Sequence, residues 1–159
     1  MREILFRAKA INRDSIDGRC RRTDYKNGDW VYGLITKPYN EEYNFPAEMR
    51  NTDGISGIEI DYQTIGQYTG IDDINGQKIF EGDIVKFKHG VLFDKKIYYR
   101  NYAVEFVNTY VTYGLRLRNK SIHFPFKRAT SAQHEVEVIG NIYDNPELIG
   151  GAENEDTND

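Results

Sequence analysis

The sequence predicts a mostly-β protein with minor α content, in which an irregular β-rich portion is followed by a small SH3-like β-barrel. β-branched and aromatic residues account for 55 of the 159 residues, whereas Leu and Ala together account for only 13. Branched and aromatic side chains suit the pleated surface of a sheet and lose rotamer freedom in a helix. Fourteen Gly supply turns between the short apolar runs.

Residues 1–63 are predicted to form the irregular β-rich portion. Loose alternation predicts a first strand over residues 3–9, and the apolar run 30–36 predicts a strong second strand. Gly33 inside that run indicates a bulge or a close approach of another backbone. Residues 37–57 contain two Pro and no sustained period, so they are predicted to be a long loop with one helical turn near residues 47–49. Residues 58–62 alternate again and predict a third strand.

Residues 64–150 are predicted to form the barrel, and turn residues divide it into strands. Asn75-Gly76 lies between short apolar positions, which predicts a hairpin with a two-residue loop. The Gly82-Asp83 turn leads into an alternating strand, as in many small barrels. Three further strands are predicted over residues 97–107, 110–118 and 136–143.

The C-terminal end is predicted to close with a short helical cap followed by a disordered tail. Asn145 has the side chain of an N-cap, Pro146 suits the first helical position, and Gly150 follows the end. Residues 151–159 contain several acids but no Ile, Leu, Val or aromatic residue, so they have nothing to bury.

Composition excludes several classes of protein. No apolar run approaches the roughly 18 residues of a membrane-spanning helix, and the N-terminus has no apolar stretch long enough for a signal peptide. Cys20 is the single cysteine, which excludes an intramolecular disulfide and favours a reducing compartment. These features predict a cytoplasmic protein.

Charge is distributed unevenly, although the formal net charge is only −4. Residues 84–134 contain ten bases and two acids, whereas residues 135–159 contain eight acids and no Lys or Arg. The basic stretch 84–128 is a candidate anion-binding face. In the alternative interpretation, these are solvated outward positions of strands that pair in part with the acidic end.

A nucleic-acid site in the basic stretch would use cations on one face of adjacent strands. Alternation places Lys86 and Lys88 on one side of a strand, and Arg116 and Arg118 likewise. The candidate nucleic-acid-binding residues are Lys86, Lys88, Arg116, Arg118, Lys120, Lys127 and Arg128. The candidate stacking partners are Tyr98, Tyr99, Tyr102 and Tyr113.

No motif of the sequence predicts a catalytic, metal or cofactor site. The acidic loop around residues 73–76 fails as a calcium loop, because Ile71 and Gly82 would occupy its first and twelfth positions. The three His lie far apart, unlike zinc ligands. The acids cluster beside Gly and Asn, so they are interpreted as turn formers: Asp61, Asp72, Asp73, Glu81 and Asp83. The protein is therefore not expected to be an enzyme.

Three segments resemble the YopX family of small phage and prophage proteins: residues 2–8, 64–85 and 138–148. The central segment, which runs from Thr64-Ile65-Gly66-Gln67-Tyr68 through Asp73-Ile74-Asn75-Gly76-Gln77 to Asp83-Ile84-Val85, is the most specific. Two departures occur, since Ile74 stands where the family usually has a charged residue and residues 40–57 match no family pattern.

The resemblance implies a β-rich N-terminal portion followed by a small barrel, in a protein of a phage or prophage that acts in the cytoplasm of the bacterial host. It implies no catalytic residues, because the matching positions are turn glycines, turn acids and core apolar residues. The expected function is a non-catalytic binding module for a host or phage macromolecule, in the first place a protein. Nucleic-acid binding is the alternative, no membrane partner is expected, and self-association is left open.

Overall fold

The mostly-β class is confirmed. The computed structural model describes residues 3–11, 25–41, 46–90, 97–108, 112–117, 120–125, 136–149 and 155–156. Within these ranges the strands are β1 Phe6–Lys9, β2 Trp30–Lys37, β3 Ala47–Asn51, β4 Ile58–Ile60, β5 Gly66–Asp72, β6 Lys78–Phe80, β7 Asp83–Gly90, β8 Ile97–Val107, β9 Thr112–Leu117, β10 Lys120–Pro125, β11 Val136–Asn141 and β12 Glu155–Asp156. In the described part of the chain, 3₁₀ turns occupy Tyr62–Thr64 and Pro146–Leu148. None of the helices in the described ranges is long and apolar enough to cross a membrane.

The chain divides into two compact units, Met1–Tyr68 and Thr69–Asp159. The division falls within β5, whereas the boundary predicted from the sequence lies between residues 63 and 64. The first unit contains an antiparallel sheet with the order β4-β3-β2-β1-β5, and β5 continues into the second unit, where β6 is its neighbour. Each unit has a core of its own.

The core of the first unit lies on one face of its sheet. Alternate residues of β1, β2 and β3 point inward, because successive side chains of a strand point to opposite faces. Short side chains and β-branched residues dominate this core, which consists of Ala8, Ala10, Val31, Ala47, Met49, Ile58 and Ile60. Gly33 lies on the same inner face, and a Cβ there would overlap the backbone carbonyl of Arg50. The predicted close backbone approach at Gly33 is therefore confirmed.

The predicted loop over residues 37–57 is wrong in part, since it contains β3, and the helical turn predicted near residues 47–49 is a strand. Ala, Glu and Met favour helices in isolation. Here β3 pairs with β2 on one side and with β4 on the other. Met49 is fully buried by this arrangement. Tertiary pairing therefore outweighs the local helix preference.

The second unit is built on a sheet with the order β10-β9-β8-β7-β11, and β12 pairs with the first residues of β8. Its main core consists of Ile79, Val85, Tyr102, Val104, Tyr113, Leu115 and Val136. The described strands of this unit form an open sheet and not the predicted closed barrel, because β10 and β11 each pair only with their inner neighbours, β9 and β7.

The predicted hairpin at Asn75-Gly76 is present, but its loop is longer than predicted. The N–H of Asp73 donates to the carbonyl of Gln77 at 2.8 Å, and the N–H of Gly76 donates to the carbonyl of Asp73 at 3.0 Å. The loop therefore has three residues and ends at Gly76, whose φ is +78°. A turn followed by one left-handed glycine is the usual form of a three-residue hairpin loop.

The predicted helical cap is a single 3₁₀ turn with Pro146 near its start. Asn145 makes no capping hydrogen bond with its side chain. The side-chain oxygen of Asn145 instead lies close to Gly140. It would be only 2.6 Å from a Cβ added at Gly140. Of the tail predicted over residues 151–159, only Glu155 and Asp156 are described, and their backbone pairs with Tyr98 and Ile97. Its remaining residues lie outside the described ranges.

Candidate binding surfaces

Three of the predicted nucleic-acid-binding residues lie on one face of the second unit's sheet. Lys86 and Lys88 alternate on β7, and Lys86 pairs with Asn101 of β8. Two residues further along β8, Ala103 pairs with Arg116 of β9. Cross-strand partners and residues two apart share a face. The three cations therefore share a face, with β8 lying between the two strands that carry them.

Acidic groups and the C-terminal cap occupy much of this face. Arg116 Nε lies 2.7 Å from Glu105 Oε2, in an ion pair of partly exposed side chains. Glu137 of β11 pairs directly with Lys86, whose ammonium lies 4.3 Å from the centre of the Tyr99 ring. These contacts leave little excess positive charge on the face.

The C-terminal cap covers the middle of the same face. Asn101 donates a 2.9 Å hydrogen bond to the carbonyl of Leu148. Ile149 packs with Ile84 and Ala103 in a small second cluster. A polyanion that contacts both Lys86 and Arg116 would therefore have to pass over this cap.

The remaining predicted site residues divide into three groups. Arg118, Lys127 and Arg128 lie outside the described residues, and Lys120 is described only as a backbone position on β10. Tyr99 lies under Lys86, and the side chain of Tyr98 is not described.

The prediction that Tyr102 and Tyr113 are stacking partners is wrong, because their side chains are 2% and 6% exposed in the core. Burial also raises the pKa of Tyr102, an effect that the charge of nearby Arg100 partly offsets.

The buried acids of the central sequence segment organise turns. Asp73 accepts hydrogen bonds from the N–H groups of Asn75 and Gln77, at 2.8 and 2.9 Å. Asp83 accepts one from the N–H of Phe80 at 2.7 Å, across the turn that leads into β7. Both carboxylates therefore serve as backbone acceptors, as turn formers do. Across the described ranges, no three or more Cys, His, Asp or Glu residues are grouped as metal ligands would be.

A further surface, which the sequence pattern did not predict, lies on the outer face of the first unit's sheet. We call it the β1–β2 strip and define it by Arg7, Lys9, Trp30, Tyr32 and Leu34. Antiparallel pairing sets Arg7 opposite Tyr32 and Lys9 opposite Trp30. The Arg7 guanidinium carbon lies 4.6 Å from the centre of the Trp30 ring, and the Lys9 ammonium lies 5.4 Å from it. These distances are those of cation–π contacts.

Two apolar side chains of the strip are open to solvent in mid-sheet. Tyr32 is 40% exposed and Leu34 is 51% exposed. They lie on β2, which has β1 on one side and β3 on the other. Arg50 of β3 pairs with Leu34 and is itself exposed. The strip therefore has an aromatic and aliphatic centre with a cation near each end, Lys9 and Arg50.

Acids lie on the same outer face, at the β3–β4 side. Glu48 of β3 pairs with Glu59 of β4, and Lys37 Nζ lies 3.4 Å from Glu48 Oε1. The outer face thus changes from mainly cationic at β1 to mainly acidic at β4.

One sequence signal pointed to the strip. Residues 30–35 read Trp-Val-Tyr-Gly-Leu-Ile, so both faces of the predicted strand are apolar or aromatic. A strand with one solvated face usually alternates between apolar and polar residues. The apolar and aromatic residues on both faces of this predicted strand are therefore the sequence signal for the strip.

Comparison with known proteins gives a family match and a structural likeness. The family model described as YopX protein matches residues 16–150. The solved structure described as "Crystal structure of protein EF1440 from Enterococcus faecalis" is 20% identical in sequence. It matches over 92% of this chain and 98% of that one, with a TM-score of 0.48. A search of curated proteins finds no match.

Proposed function

The chain belongs to the YopX protein family, and we propose that it is a non-catalytic binding module encoded by a phage or prophage. It acts in the cytoplasm of the bacterial host on a host or phage macromolecule. The phage origin rests on the family resemblance, and the site of action on the single cysteine, Cys20, which favours a reducing compartment.

The exposed centre of the β1–β2 strip is the observation that carries this proposal. Tyr32 and Leu34 are 40% and 51% exposed on β2, which has a neighbouring strand on each side. The opposite face of β2 packs in the core. Trp, Tyr and Arg are enriched at the energetic centres of protein interfaces. The strip presents Trp30, Tyr32 and the adjacent Arg50 together. This composition favours a protein partner.

The positions most typical of the family serve the fold. Asp73 and Asp83 are buried and accept backbone hydrogen bonds. Gly76 supplies a left-handed turn residue. These roles support a scaffold that presents a surface, and they require no reaction at these residues.

The test compares two variants of the strip with a matched control elsewhere. Leu34→Glu and Tyr32→Ala remove the apolar centre of the strip. Ile74→Glu is the control, because Ile74 is 56% exposed at the hairpin loop of the other unit. Affinity capture from host lysate identifies a partner, and calorimetry with the purified partner then measures its Kd for each variant.

We expect each strip variant to weaken binding about tenfold or more, which corresponds to about 1.4 kcal/mol, and the control to bind like the wild type. Circular dichroism and thermal unfolding verify that all three variants fold. Equal affinity of wild type, Leu34→Glu and Tyr32→Ala for the captured partner would contradict the proposal.

Nucleic-acid binding is the second candidate function, favoured by the common face of Lys86, Lys88 and Arg116. Three phosphate contacts there would give a log–log salt slope of about −2.7 on duplex DNA. The test titrates labelled single- and double-stranded DNA at low salt with the full chain, a chain ending at Gly150, and a Lys86→Gln/Lys88→Gln/Arg116→Gln variant. Loss of binding in the triple variant would support this function. The absence of micromolar binding by the first two chains would exclude it.

A further inference from the structure

We propose that the β1–β2 strip binds an extended acidic segment of a partner protein, in which one apolar residue stands between two carboxylates. This inference rests on the proposed function and specifies the chemistry of its partner. The position of the apolar centre, the two cations at its ends and the neighbouring charges together support it.

The apolar centre defines where the middle of the partner segment contacts the sheet. Tyr32 lies between Trp30 and Leu34 on the outer face of β2, two residues from each. An apolar side chain of the partner placed over Tyr32 would contact both exposed residues of the apolar centre, since Tyr32 is 40% and Leu34 is 51% exposed. Removal of such apolar surface from water favours binding.

The two cations define the spacing of the carboxylates. Lys9 pairs with Trp30 and Arg50 pairs with Leu34, so the cations lie near opposite ends of the apolar centre. Four residues of a strand span about 13 Å. An extended segment with acids at positions i and i+4 and an apolar residue at i+2 presents all three side chains on one face. Its carboxylates then match the separation of the two cations along β2. Because Lys9 lies on β1 and Arg50 on β3, on either side of β2, the segment must run obliquely across β2 to reach both.

The charges around the strip favour two discrete carboxylates over a continuous polyanion. Arg7 is the cation nearest the centre, but it is only 6% exposed and lies against Trp30. Its guanidinium is therefore poorly placed to meet a phosphate. Glu48 and Glu59 share the outer face at the β3–β4 side. Lys37 neutralises part of the charge of Glu48, and the remaining negative charge repels a phosphate chain that extends beyond Arg50. A short acidic segment that ends at Arg50 avoids this repulsion.

The test uses a labelled nine-residue peptide with Asp at positions 3 and 7, Leu at position 5 and Thr elsewhere. Fluorescence anisotropy measures its binding to the full chain at low salt. Matched peptides carry Asn in place of both Asp, Ser in place of Leu, or the two Asp at positions 4 and 6. A ten-nucleotide single-stranded oligothymidine is the polyanion probe.

We expect the first peptide to bind with a Kd below about 1 mM. Each matched peptide and the variants Lys9→Gln and Arg50→Gln should bind about 3- to 10-fold more weakly. Ile74→Glu is the control variant and should have no effect. Both Gln variants retain long polar side chains, and their folding is verified by thermal unfolding.

Two results would overturn the inference. One is equal binding of the peptides with Asp at 3 and 7 and with Asp at 4 and 6. The other is oligothymidine binding that is lost in Lys9→Gln and Arg50→Gln while the acidic peptide does not bind. Neither result contradicts the proposed function. That proposal fails only if Leu34→Glu and Tyr32→Ala leave the affinity for the captured partner unchanged.

Discussion

The carboxylate of Asp73 accepts a 3.0 Å hydrogen bond from the backbone N–H of Val138, which lies 65 residues further along the chain. The same carboxylate holds the hairpin loop between β5 and β6 through the N–H groups of Asn75 and Gln77. The loop is also joined to β11 by the N–H of Ile74, which donates to the carbonyl of Val136 at 3.0 Å. One buried side chain thus sets the shape of the hairpin loop and connects it to the last long strand of the sheet.

Replacement of Asp73 by Ala should destabilise the second unit by about 3 kcal/mol. The change removes the acceptor of three backbone N–H groups at a position that is 6% exposed, and unsatisfied buried donors cost about 1–3 kcal/mol each before water re-enters. Urea unfolding followed by tyrosine fluorescence measures the effect. Asp72→Ala, at the exposed neighbouring position, is the control. A loss below about 1 kcal/mol in Asp73→Ala would contradict this role.

Gly76→Val should cost about 1–3 kcal/mol through backbone strain. Gly76 has a φ of +78°, and a Cβ added there would have no atom within 4 Å, so the cost arises from the backbone conformation alone. Gly76→Asn is the matched variant, because Asn tolerates the left-handed region better than a β-branched residue. Thermal unfolding should rank the stabilities as wild type, then Asn, then Val. Equal stability of the Asn and Val variants would exclude strain as the cause.

Strands that carry an apolar pattern in their own residues were well predicted from sequence. The bounds predicted for β8 agree with the structure, and the predicted start of β2 at Trp30 is correct. β3 was missed because Ala47, Glu48 and Met49 carry no local strand signal. Its extended conformation depends on pairing with β2 and β4, which are set by tertiary context.

The candidate surfaces show the same division between local and long-range information. Alternation correctly placed Lys86 and Lys88 on one face, because that depends on a single strand. The alternative interpretation, in which the basic residues pair in part with the acidic end, includes Glu137, but its position opposite Lys86 was not predicted, since that depends on the register between β7 and β11. The pairs Arg7–Tyr32 and Lys9–Trp30 likewise depend on the register between β1 and β2. No periodicity within one strand reveals a register of this kind.

Gly33→Ala should destabilise the first unit by about 2–3 kcal/mol for a steric reason. A Cβ at this position would overlap the carbonyl of Arg50 and would lie 2.8 Å from Cα of Asn51. Since backbone atoms of β3 are the obstacle, β2 and β3 must separate locally. Hydrogen exchange measures this directly, and the amides of β2 and β3 should exchange faster in the variant. Unchanged protection in both strands would show that the sheet accommodates the methyl group.

The Glu105–Arg116 ion pair should contribute only about 0.5–1 kcal/mol to stability. Both side chains are partly exposed, although their Nε–Oε2 distance is 2.7 Å. A double-mutant cycle with Glu105→Gln and Arg116→Gln isolates the coupling energy. Measurement at 50 mM and 500 mM NaCl should show the coupling decrease with salt. A coupling energy above about 2 kcal/mol would mean that the pair is far better shielded from solvent than its exposure indicates.

Ionisation of Tyr102 should weaken the second unit at alkaline pH. Burial disfavours the phenolate, which raises the pKa of Tyr102 above its ordinary value of 10.0, and the charge of Arg100 offsets part of that rise. Because the folded state holds this proton more tightly than the unfolded state, the stabilisation is complete below pH 10. It is lost as the pH rises through the folded pKa.

Tyr102→Phe removes the ionising group, so urea unfolding at pH 8 and pH 11 should show a smaller loss of stability in the variant than in the wild type. Tyr32→Phe, at an exposed position, is the control and should lose as much as the wild type. Equal losses in all three proteins would mean that Tyr102 does not contribute to alkaline unfolding.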